Sequence, residues 1–87
     1  MSVFMVERSL KGISMSELGQ AQQAAIQAAS QLSRLGTPVR YLRSTFVPES
    51  GACMCLFEAC DASAVQQLNE SARLPYTRIV PALDLAP

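Results

Sequence analysis

The sequence predicts an α+β fold, with four strands and two helices in the order β-α-β-β-α-β forming an antiparallel sheet that carries both helices on one face. Three observations point there. Ser14 followed by Glu17 is a capping box opening an alanine-rich amphipathic segment, which Gly36 and Pro38 close. The runs 41–48 and 53–59, rich in aromatic, β-branched and sulfur side chains, flank the turn Glu49-Ser50-Gly51 as a hairpin. A second amphipathic stretch follows Asp61 and breaks at Leu74-Pro75, ahead of one more extended run.

Residues 3–10, β-branched and aromatic and ended by Gly12, form the first strand. At Ser14 the serine hydroxyl and the Glu17 carboxylate satisfy each other's free amides, so a helix starts there. Leu18, Ala21, Ala25, Ala28, Leu32 and Leu35 recur at spacings of three and four as its apolar stripe, with Gln20, Gln23, Gln27 and Gln31 off it. The small alanines let this helix lie close on a sheet. Residues 38–48 and 52–59 are strands two and three. Asp61 caps a second helix whose buried stripe is Val65, Leu68 and Ala72. Residues 76–83 make the last strand, and Pro81, with no amide to give a neighbour, places it at a sheet edge. Two interleaved βαβ units with right-handed crossovers are the ferredoxin-like plan, read as a single domain over residues 1–87.

A chain of 87 residues buries only roughly 60–65% of the surface its unfolded form exposes. Three cysteines cannot close a disulfide framework, so pairing with a second copy is expected to supply the missing burial. Seven Lys and Arg balance seven Asp and Glu, and the basic residues are scattered from Arg8 to Arg78. That leaves no electrostatic footprint for nucleic acid or anionic lipid. No apolar run approaches the ~20 residues of a membrane span, and Glu7 and Arg8 interrupt the start where a secretory signal would continue. A cytoplasmic protein is expected, with free cysteines fitting a reducing compartment.

Strand alternation sorts the side chains by face. With Glu7 and Glu58 kept out of the helix-covered core, that core takes Phe4, Val6, Leu42, Phe46, Cys53, Cys55, Phe57, Thr77 and Ile79. The opposite face takes Val3, Met5, Glu7, Tyr41, Arg43, Thr45, Val47, Met54, Leu56, Glu58, Arg78 and Val80. It is too apolar for open water yet holds acids and bases, the character of a dimer interface or of a cavity lining closed by a partner.

Pairing Val47 with Met54 sets Arg43 opposite Glu58. This is either a plain cross-strand ion pair or the floor of a site whose guanidinium fork takes a carboxylate or phosphate. In such a site Glu58 or Glu7, its pKa raised by an apolar cavity, is the candidate base, Arg43 stabilises negative charge, and Tyr41 and Thr45 orient a ligand. Cys53 and Cys55 share a face and are the only metal candidates, against the plainer reading as core fillers; the chain has no histidine to complete a site. Cys60 likewise lacks a histidine base for nucleophilic work.

The segments Phe4-Met5-Val6-Glu7-Arg8, residues 41–49, Cys53-x-Cys55-Leu56-Phe57-Glu58-Ala59, and Asn69 through Ala72-Arg73-Leu74-Pro75 resemble a family of small bacterial proteins called nickel-binding-protein-like, over nearly the whole chain. The resemblance implies a ferredoxin-like fold and a homodimer of the dimeric α+β barrel kind, its two sheets facing each other. It also implies a nickel site using one histidine in the second strand and one in the second helix. Arg43 and Asn69 stand at those positions here, a cation and a neutral amide in place of two imidazoles, while Cys55 and Glu58 match the family pattern.

The expected function is therefore a homodimer binding a small molecule between its sheets through Tyr41, Arg43, Thr45, Glu58 and Asn69, with no cofactor and no nickel. An alternative is a cofactor-independent oxygenase, isomerase or cyclase using Glu58 or Glu7 with Arg43. A further one is nickel binding or sensing, as the family name suggests.

Overall fold

A computed structural model describes residues 1–87. Its elements are β1 (Ser2–Ser9), α1 (Met15–Arg34), β2 (Val39–Val47), β3 (Ala52–Ala59), α2 (Ala62–Ser71) and β4 (Arg78–Ala82). The strands lie in the order β2-β3-β1-β4, every neighbouring pair antiparallel. This is the predicted βαββαβ arrangement, with β4 and its Pro81 on an edge as expected. No helix is long and apolar enough to cross a membrane.

The core lies between helices and sheet. Phe4, Val6, Phe57 and Ala59 meet Ala25, Ala28, Ala29 and Leu32 of α1 and Val65 and Leu68 of α2. Burial of these side chains is the main force holding helices to sheet, since an isolated helix of α2's length is marginal in water. The stripe on α1 is shorter than its periodicity suggests, because Leu35 is 74% exposed. It is the C-cap residue, and the chain leaves the helix there through a Schellman motif. Gly36 has φ +99, its amide donates to Ser33 and that of Thr37 to Leu32.

The start of α1 follows the capping box, with Glu17 N donating to Ser14 Oγ and Ser14 N to the Glu17 carboxylate, both at 3.1 Å. Helix α2 begins where Asp61 accepts from Ala64 N at 3.0 Å. It ends before the expected Leu74-Pro75 break. Arg73 adopts the left-handed φ of 56 and Leu74 N donates to Asn69 O at 2.9 Å. Thr77, expected in the core, is exposed and precedes β4; its amide is held by Glu7 O.

Strand β2 departs most from simple alternation. Tyr41 pairs with Phe57 and Arg43 with Leu56, so two consecutive residues of β3 face three of β2, and Leu42 is the extra one. Beyond this bulge Val47 pairs with Ala52, and Thr45, not Val47, faces Met54. The four-residue turn closes through Gly51 N donating to Val47 O at 2.8 Å.

Candidate functional site

The open face of the sheet follows from the register. Its central row runs Val80, Met5, Leu56, with Arg43 at the β2 end. One row away stand Arg78, Glu7, Met54 and Thr45; on the other side stand Ala82, Val3, Glu58 and Arg40. The centre is apolar and no helix covers it. Around it lie three ion pairs. Arg78 grips Glu7 with two hydrogen bonds, one of them 3.0 Å from Nη2 to Oε1. Arg40 reaches Glu58 at 3.2 Å, and Arg43 reaches Asp84 at 2.9 Å. Asp84 follows β4, on the opposite edge from β2, so Arg43 and this tail together bridge the width of the open face.

The expected site residues therefore divide. Arg43, Thr45 and Glu58 share the open face as predicted, but Arg43 and Glu58 are not a pair. The turn sets Thr45 across from Met54 and so Arg43 across from Leu56, and the bulge then brings Arg40 across from Glu58. For the same reason Tyr41, assigned to the open face, turns to the helix side, where its ring meets Phe57 edge-on at 5.6 Å between centroids; Val39 rather than Leu42 fills the core. Asn69 is fully buried on α2, its amide donating to Val65 O at 2.8 Å and its carbonyl oxygen without a partner. Tyr41 and Asn69 thus cannot join Arg43 around one ligand within one chain. Nor is Glu7 a base of raised pKa, because its hydrogen bonds to Arg78 hold the carboxyl below its usual value.

On the helix side, Cys53 and Cys55 are buried as expected, their sulfurs 3.9 Å apart. They do not merely fill the core. They line a partly open cavity of ≈ 160 Å³ between α1 and the sheet, near the exposed Gln22 and Ser44. A polar string follows its wall. Gln22 Nε2 donates to Tyr41 Oη at 3.1 Å, Tyr41 Oη meets Ser44 Oγ at 2.7 Å, and Ser44 donates to Cys55 Sγ at 3.0 Å. Ser44 has one hydroxyl proton, so the proton in the Tyr41–Ser44 bond is the tyrosine's. Burial pushes the Cys53 thiol up to about 11, the neighbouring Cys55 adds to the effect, and Arg8 opposes it.

At the far end of the string is Arg8, only 5% exposed and a member of the cavity wall. Arg8 is absent from the core expected from sequence, yet the alternation Phe4, Val6, Arg8 carries the signal.

Residues 4–81 match a family described as nickel responsive protein SCO4226-like. The chain is also similar to the crystal structure of SCO4226 from Streptomyces coelicolor A3(2), at 29% identity and a TM-score of 0.81, over 98% of this chain and 100% of that one. No curated protein matches it.

Proposed function

The chain belongs to the family of nickel-responsive SCO4226-like proteins, and from that premise we propose that it works as a homodimer whose sheets face each other and bind a small molecule between them. The observation that carries this reading is the open face. Val80, Met5 and Leu56 form an apolar row with no helix over it, inside a frame of arginine–carboxylate pairs. A second copy would cover the row and leave the charged frame around an enclosed, partly polar space.

Nickel itself does not fit the residues present. The chain has no histidine, and no three thiol or carboxylate residues cluster in the protomer. Arg43 and Asn69, at the positions that the family resemblance assigns to the imidazoles, lie on opposite sides of the sheet, and Arg43 is already bound to Asp84. The two clustered thiols favour softer ions, Cys53 stays protonated near neutral pH, and both lie near the Arg8 cation, which repels a divalent ion.

Size-exclusion chromatography with light scattering tests the assembly. A mass of two chains is expected, falling to one in Leu56→Asp, which sets a carboxylate into the central row. A monomer mass for the unmodified protein at micromolar concentration overturns the reading.

A further inference from the structure

Arg8 is a buried cation whose counter-charge the protomer does not provide. The three ion pairs of the molecule involve Arg40, Arg43 and Arg78. Arg8 makes one hydrogen bond, from Nη1 to Pro75 O at 3.1 Å, and a guanidinium carries five N–H donors. Its remaining nitrogens are not sealed in the core, because the only sealed side-chain polar atom without a partner is Asn69 Oδ1. Cys53, the titratable neighbour that could answer the charge, remains a neutral thiol well above neutral pH. A buried charge left alone is costly, and the cavity beside it leaves room for an anion from outside.

We propose that the cavity between α1 and the sheet binds a small monocarboxylate with a compact apolar body, its carboxylate on the Arg8 guanidinium. The fork of two parallel N–H groups matches a carboxylate in shape and charge. Apart from the Gln22–Tyr41–Ser44 string, the rest of the wall suits a hydrocarbon: Leu10, Leu18, Ala21, Phe46 and Leu74 contribute to it. The volume of ≈ 160 Å³ limits the body to about one benzene ring, which a cavity of about 150 Å³ accepts. With Tyr41 donating to Ser44 and Ser44 to Cys55, the hydrogen-bond string is polarised toward the thiols beside Arg8, which favours negative charge at that end.

This site lies on the other side of the sheet from the proposed dimer interface, so a monomeric protein would still bind the carboxylate. Calorimetric titration of the full chain with benzoate, benzamide and inorganic phosphate is the test. Benzoate is expected to saturate one site per chain, at least about ten-fold tighter than the uncharged benzamide, the difference of a charge-assisted pair. Phosphate should not compete, lacking an apolar body. Arg8→Met should abolish the preference for benzoate over benzamide. Should that variant not fold, Ala21→Leu, which narrows the cavity from half-exposed α1 and leaves Arg8 in place, should weaken benzoate by a similar factor. Failure of benzoate to saturate, equal binding of benzamide, displacement by phosphate, or an Ala21→Leu protein that binds unchanged overturns the proposal.

Discussion

Cys53 shows how a single residue ties folding to pH. Its thiol is raised from an ordinary value of 9.0 to about 11 by burial first and by Cys55 second. The unfolded chain therefore loses this proton at lower pH than the folded one, and above pH 9 the unfolded state binds fewer protons. Stability from this group is complete below about pH 9 and drains away as pH rises toward about 11. Urea unfolding across that interval should show a steeper loss in the unmodified protein than in Cys53→Ala; parallel curves would mean that the thiol ionises as freely in the fold as outside it. The burial of Cys53 and Cys55 was legible from alternation and from the ordinary preference of free cysteine for interiors. Arg8 was not read there, because a charged residue at an inward position is usually assumed to turn outward, and nothing in the sequence shows that Pro75 O waits for it.

Among the elements, the helices were the more legible. The cap at Ser14 and Glu17 and the glycine stop at Gly36 involve local chemistry, and local chemistry is written in adjacent residues. Helix α2 stops at Ser71, short of the expected Leu74-Pro75 break, because Arg73 adopts a conformation usually left to glycine or asparagine. The hairpin is legible but the faces of its lower half are not, since alternation counted straight through residue 42 assigns Tyr41 to the wrong face.

The hairpin tip is fixed by a close approach. Gly51 has φ +78, its carbonyl accepts from Leu10 N at 2.7 Å, and a Cβ there would stand 2.5 Å from the backbone of Lys11. Gly51→Ala should cost about 2–4 kcal/mol, combining a left-handed φ with overpacking against rigid main chain. Chemical denaturation measures this, and a loss below about 1 kcal/mol would show that the β1–α1 loop yields easily.

For the whole molecule, the order of elements, the sheet and the side on which the helices lie were all readable, because hydrophobic period and turn residues agree along the chain. The site was less so. Which charges meet depends on the register set at the turn, on a one-residue bulge and on a tail that returns across the open face, and none of these has a signature in composition or spacing. The same distribution of charge bears on metal binding. Titration with nickel at neutral pH is expected to give no saturable micromolar isotherm, since Arg8 and Arg43 occupy the settings where thiols or carboxylates could otherwise gather around an ion. A stoichiometric tight isotherm would mean that two protomers together build a ligand set that neither has alone.

The bulge at Leu42 also has a consequence for how the gene can change. Tyr41 and Arg43 already pair with adjacent residues of β3, so excising the codon between them would leave a regular ladder with every neighbour on its present side. Losing one codon elsewhere within the paired part of β2 would invert the faces of all residues between the lesion and the bulge. Residue 42 is thus the position where this strand can shorten by one and keep its inside and outside, a length polymorphism that relatives can carry without rebuilding either the core or the open face.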